Sequence, residues 1–174
     1  MNTPNKLTLL RIILVPLFMV FMLSDFIYGA RLFGTIVFVV AFFTDWADGY
    51  LARKNGQVTD FGKIMDPLAD KMLVTAALAC LTAEGTISPW VVVIILAREF
   101  IVSGIRITAA AEGNVIAASI WGKAKTMWQF VALTLALLFG SHWFVTVCIW
   151  LAVVLTVVSG IDYIKKNAGY LSMK

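Results

Sequence analysis

Apolar runs separated by short charged or turn-forming stretches recur along the chain near residues 7–25, 32–51, 64–83, 89–108, 119–139 and 143–162. About 20 apolar residues is the length of a helix that crosses a bilayer. The pattern therefore predicts an all-α integral membrane protein of six transmembrane helices in one domain, residues 1–174. The rhythm is uneven. The uncharged part of the second run reaches only from Leu32 to Thr44, about 20 Å at 1.5 Å per residue against a hydrocarbon core of roughly 30 Å. Extending it to Leu51 draws Asp45 and Asp48 into the membrane edge, and the next two runs absorb Asp66, Asp70, Arg98 and Arg106 in the same way. Ionisable groups at such depth are costly unless they face protein, water or a ligand, so they are candidates for function.

Local signals agree with these elements. Ser88-Pro89 reads as a cap and first-turn pair opening the fourth helix, and Gly85 and Gly140 mark short turns. A third helix starting at Pro67 would be too short to span, so it is expected to begin earlier and bend there. Lys6 and Arg11 before an apolar stretch imitate a signal peptide, but no small-x-small cleavage site follows, and the reading is a retained first helix. Thirteen of the 14 basic residues fall on one side of a six-span layout and only Arg31 on the other. The positive-inside rule then places both termini, and the unusual charged residues, in the cytoplasm.

Composition sharpens this picture. Hydrophobic side chains make up 61% of the 174 residues and charged ones 14%, far below the quarter usual in soluble proteins. The net charge of +4 is better explained by a basic membrane face than by a nucleic-acid partner. Cys80 and Cys148 form neither a disulfide framework nor a metal pattern.

The chemistry concentrates in residues 45–71. On a helix Asp45 and Asp48 project about 60° apart, and Asp66 and Asp70 about 40° apart. Two such faces opposed make a cup of four carboxylates whose mutual repulsion divalent cations would relieve. An all-oxygen set favours Mg²⁺ or Mn²⁺, two of which fit four carboxylates and support two-metal phosphoryl transfer. His142, the one histidine, is expected on the opposite membrane side, which argues against zinc. Gly49, Ala52 and Gly62 leave room for a bulky ligand or for close helix packing. A salt network with Arg53, Lys63 and Lys71, or a cation transporter, remains an alternative reading of the aspartates.

The spacing Asp45-x-x-Asp48-Gly49-x-x-Ala52-Arg53, eight residues, then Gly62-x-x-x-Asp66-x-x-x-Asp70 resembles the signature of the CDP-alcohol phosphatidyltransferase family. The signature positions match throughout the 26 residues from Asp45 to Asp70. Outside them, Asn5-x-x-Thr8-x-x-Arg11 with Pro16, Asp66-Pro67-Leu68-Ala69-Asp70-Lys71, Arg98-Glu99-Phe100 with Arg106, and Gly122-Lys123-x-Lys125-Thr126 resemble the bacterial branch that uses glycerol 3-phosphate. The resemblance implies a six-helix enzyme, usually a homodimer, of the bacterial inner membrane with its active site on the cytoplasmic side. It would displace CMP from CDP-diacylglycerol among membrane lipids. It also implies a metal site of Asp45, Asp48, Asp66 and Asp70, with Asp70 as general base. Asp48, Gly49, Ala52, Arg53 and Gly62 are then expected against the CDP group.

A second phosphate site has independent support. Arg98, Arg106, Lys123 and Lys125 carry more positive charge than the local acids Glu99 and Glu112 neutralise, and arginine forks match phosphate oxygens. A phosphate-bearing acceptor such as sn-glycerol 3-phosphate fits that demand better than serine; inositol phosphate or another alcohol is the alternative within the same chemistry. With Thr8 and Arg11 from the branch pattern, these four are the candidates for holding the acceptor phosphate. Lys123 and Lys125 facing anionic lipid headgroups is the competing reading.

Overall fold

A computed structural model describes the backbone of residues 3–24, 26–55, 60–114, 116–117 and 119–170, and their side chains apart from residues 3–8 and 45–67. The elements are all helical: α1 (Thr3–Met22), α2 (Ala30–Asn55), α3 (Asp60–Ala83), α4 (Pro89–Ala111), α5 (Ile120–Phe139), α6 (Trp143–Lys166) and a short 3₁₀ turn (Ala168–Tyr170). α3 begins well ahead of Pro67, as the length argument requires. Ser88 caps α4 by accepting from the Trp90 amide at 3.4 Å, with Pro89 in the first turn, where its missing N–H leaves no bond unmade. Gly113, at φ +78°, closes the same helix. The Asn114 amide returns to the Ala109 carbonyl and the Gly113 amide to that of Ala110, so two terminal carbonyls are satisfied.

The chain forms two compact units, residues 1–84 with 137–140, and residues 85–136 with 141–174. In the first, α1, α2 and α3 pack on one another. Phe18 and Phe38 meet with ring centroids 5.8 Å apart. Ala41 on α2 and Ala69, Ala76 and Ala77 on α3 are buried, and such small residues let helices approach closely. In the second unit α4 packs on α6. Val91, Ile95, Val102, Ile105 and Ala109 form the buried stripe of α4 at the helical period. The Trp128 indole joins α5 to α6 by donating to the Cys148 carbonyl at 3.1 Å.

The expectation of six transmembrane helices with both termini cytoplasmic is corrected here. Among the described residues one helix, Trp143–Lys166, is long and apolar enough to cross a membrane. Its outer positions Val147, Trp150, Val154, Val157 and Ile161 are exposed and apolar, and Ile149, Ala152 and Val153 behind them are buried and apolar too. A helix apolar all round suits lipid rather than water. The others fall short for identifiable reasons. The apolar stretches of α1 and α2 are the shorter Leu9–Met22 and Ala30–Thr44. Arg98, Glu99 and Arg106 interrupt α4, and Lys123, Lys125 and Gln129 interrupt the first half of α5. The count of basic residues by side presupposed six crossings, and with one it assigns neither terminus to a compartment.

Candidate functional site

Two regions carry the chemistry. In the first unit, Asp45 and Asp48 stand one turn apart on α2, and Asp66 and Asp70 one turn apart on α3. α2 and α3 pack against each other and both against α1. The side chains of Thr8, Asp45, Asp48, Gly49, Ala52, Arg53, Gly62 and Asp66 lie outside the described residues. Asp70 is described and half-buried, beside the fully buried Ala69. Arg11, on α1, is 1% exposed. Among the described residues no group of three or more His, Cys, Asp or Glu converges on a metal position. The donor chemistry of the four aspartates nevertheless fits a hard divalent ion, since carboxylate oxygens are the ligands such ions take.

The second unit holds the cations. α5 starts at Ile120, and Ser119 caps it by accepting from the Gly122 amide at 3.0 Å. Arg98 reaches this end from α4. A Cβ built on Gly122 would stand 3.4 Å from its Nη2, and one on Gly160 of α6 would stand 3.1 Å from its Cγ. The arginine thus lies in a slot that two glycines leave open. Glu99 binds Arg98 Nη1 at 3.1 Å and also takes the ammonium of Lys125, all on Oε1. Lys125 is 2% exposed, so a charge that would be costly alone is compensated inside the helix packing. The Nε of Arg98 is buried with no hydrogen-bond partner.

Arg106 belongs to a different place. It lies eight residues beyond Arg98 on α4, about 12 Å along the axis at 1.5 Å per residue. It is exposed, donates from Nε to the Tyr163 hydroxyl at 3.2 Å, and lies over that ring at 5.7 Å from the centroid. Lys123 is exposed, whereas Lys125, two positions along α5, is buried, as the period of a helix dictates. The structure thus brings Arg98 and Lys125 together around Glu99, sets Arg106 apart with Tyr163, and leaves Lys123 on the surface.

Comparison with known proteins gives this arrangement a setting. A family model described as CDP-alcohol phosphatidyltransferase matches residues 1–158. The chain belongs to the CDP-alcohol phosphatidyltransferase family. It is 45% identical to a CDP-diacylglycerol–glycerol-3-phosphate 3-phosphatidyltransferase of Bacillus subtilis, over 95% of both chains. Relatives of the same description are 38% identical in Rickettsia bellii, over 97% of both chains, and 38% identical in Haemophilus influenzae, over 98% of this chain and 95% of the other. The protein is therefore a transferase of phospholipid biosynthesis, closely related to the glycerol-3-phosphate enzymes, with CDP-diacylglycerol-dependent chemistry. Together with α6, membership makes it membrane-associated. The family works with divalent cations.

Sequence reading of this phosphatidyltransferase did not single out Tyr163 or Gly160, and it met Glu99 only within the Arg98-Glu99-Phe100 pattern and as a neutralising acid. No local signal marks the two missed residues, because Tyr163 acts across 57 positions and Gly160 matters only for the side chain it faces.

Proposed function

We propose that the protein transfers the phosphatidyl group of CDP-diacylglycerol to sn-glycerol 3-phosphate, giving phosphatidylglycerophosphate and CMP. The observation that carries this reading is the 45% identity, over 95% of both chains, to a relative whose name specifies that donor and that acceptor. The exposed guanidinium of Arg106 adds support, since it offers charge to an acceptor that bears a phosphate.

In this reading an acceptor hydroxyl oxygen bonds to the phosphatidyl phosphorus while the bond from that phosphorus to CMP breaks. CMP leaves with the electron pair, and the carboxylate of Asp70 takes the hydroxyl proton. Asp45, Asp48, Asp66 and Asp70 would hold two Mg²⁺ or Mn²⁺ ions, which when bound stabilise charge on the departing phosphate. Asp48, Gly49, Ala52, Arg53 and Gly62 would receive the CDP group. Thr8, Arg11, Arg98, Arg106, Lys123 and Lys125 are the candidates for the acceptor phosphate, with Arg106 the best presented of those described. Residues 1–174 act as one catalytic domain, a reading supported by the family match across 1–158, and the functional form is a homodimer. Both the acceptor and CMP are charged and water-soluble, so the site opens to the bacterial cytoplasm that holds them.

Purified protein supplied with CDP-diacylglycerol, a divalent cation and a panel of acceptors tests this directly. CMP should form with glycerol 3-phosphate and far less with serine, inositol phosphate or unphosphorylated glycerol. A preference for one of those three rejects the acceptor assignment. Uptake of divalent metal into sealed vesicles with no CMP formed points instead to transport.

A further inference from the structure

An exposed arginine usually samples many rotamers, but Arg106 does not stand alone. Tyr163, which anchors it, is 2% exposed and packs with Val102 and Ile105 of α4, with Ile116, Ile164 and Tyr170 against that cluster. A buried tyrosine has two side-chain torsions, both fixed here by packing, so its hydroxyl is a stationary acceptor. The hydrogen bond at 3.2 Å uses the Nε of Arg106, and the ring face beneath the guanidinium at 5.7 Å restrains its plane. With Nε engaged, the edge that pairs Nε with one terminal nitrogen is closed to a ligand. The remaining edge, Nη1 with Nη2, has no partner among the described residues. Two parallel donors on a held plane match two oxygens of a phosphate.

We propose that Tyr163 is a positioning residue for acceptor recognition: it pins Arg106 through Nε so that the guanidinium meets the acceptor phosphate end-on. This rests on the proposed glycerol 3-phosphate acceptor. Tyr163 touches no substrate in this scheme and acts through Arg106 alone. The hydroxyl of Tyr163 neutralises nothing, so the full charge of Arg106 stays available, unlike that of Arg98 and Lys125, which share Glu99. A lipid headgroup presents the same phosphate chemistry, and the lipid arm of the experiment separates the two sources.

The test uses the full chain with Tyr163→Phe, which keeps the ring and its packing and deletes the hydroxyl. With saturating CDP-diacylglycerol and varied glycerol 3-phosphate, the acceptor KM should rise about 5- to 10-fold, the scale of one intramolecular hydrogen bond. The KM for CDP-diacylglycerol should stay within about twofold, because that substrate does not meet Arg106. In Tyr163→Phe/Arg106→Gln, acceptor KM should equal that of Arg106→Gln alone, since a residue acting only through another adds nothing once its partner is gone. An unchanged acceptor KM in Tyr163→Phe, or additive losses in the double variant, overturns the proposal. So does a deficit in Tyr163→Phe that is cured by raising anionic lipid in mixed phosphatidylcholine vesicles while acceptor KM stays at the wild-type value. Failure of the acceptor reading itself shows separately, in the wild-type protein, as no preference for glycerol 3-phosphate.

Discussion

Glu99→Gln keeps the shape of the side chain and removes a negative charge that Arg98 and Lys125 share. Lys125 is 3% exposed at the side chain, Arg98 11% and Glu99 21%, so the ammonium and most of the guanidinium have little water to turn to. Breaking a buried pair by removing one partner costs about 3–5 kcal/mol, chiefly because the other charge stays buried without compensation. Water that reaches Glu99 lowers this, and the expected loss is about 2–4 kcal/mol, or roughly 5–10 °C in melting temperature for a chain of this size. Lys125→Met removes the buried ammonium instead and leaves Glu99 with Arg98, so its loss should be only about 1 kcal/mol. The double variant should lose more than Lys125→Met but less than the sum of the two single losses, because the Lys125 charge has gone while Arg98 still loses its carboxylate partner. Thermal unfolding of the purified full chain in a single detergent, followed by far-UV circular dichroism, measures all three. Where unfolding is irreversible, inactivation half-lives at one temperature replace the midpoint. Equal losses from the two single variants, adding up in the double, would show that Glu99 and Lys125 do not depend on each other and would refute the reasoning.

Four further outcomes follow from particular residues. Gly160→Ala places a Cβ 3.1 Å from Arg98 Cγ, and the crowding should outweigh the better helix propensity, with a net loss of about 1 kcal/mol by the same unfolding assay. Gly104→Ala, with nothing within 4 Å of its Cβ, should instead gain about 0.5–1 kcal/mol. Gly140 has φ +65° and stands 3.2 Å from Arg31 Nη2 at the same construction, while Arg31 also donates to the Leu137 carbonyl and pairs with Glu84. Gly140→Ala should therefore destabilise by about 1–2 kcal/mol through backbone strain, and a melting temperature equal to wild type counts against that turn geometry. Asp70→Asn should lower CMP release by orders of magnitude with helical content retained, and a metal titration of its residual rate separates weakened ion binding from loss of the base.

Much of the architecture was legible because helices announce themselves locally. Each turn repeats its apolar positions within four residues, and the caps at Ser88-Pro89 and the turn at Gly140 are written in adjacent letters. The aspartate motif was legible for the same reason, since Asp45 with Asp48 and Asp66 with Asp70 are neighbours on their own helices. The number of spans was misread because an apolar run was extended across its charges. Arg98 and Arg106 were absorbed into a crossing, whereas the structure gives Arg98 to an ion cluster with Glu99 and Arg106 to a tyrosine. Such partnerships arise from tertiary contact. Glu99 finds Lys125 across 26 positions and Arg106 finds Tyr163 across 57, distances over which no periodicity carries information.

The same contacts change what the excess of positive charge means. Counted along the chain, Arg98, Arg106, Lys123 and Lys125 are four equal cations. In the structure Lys125 is buried and Arg98 largely so, and both pair with Glu99 in a cluster that water scarcely reaches. The other two, Arg106 and Lys123, are exposed and retain their charge in full. An anion arriving from solution is attracted first by those two, and a doubly charged phosphate monoester more than a singly charged diester or a zwitterionic amino acid. Rotamer freedom then separates the pair. Lys123 has no partner among the described residues and loses side-chain entropy on meeting an anion, whereas Arg106 is already held by a buried ring. Discrimination between acceptors should accordingly follow the geometry at Arg106, and Lys123 should contribute chiefly to the salt dependence of capture.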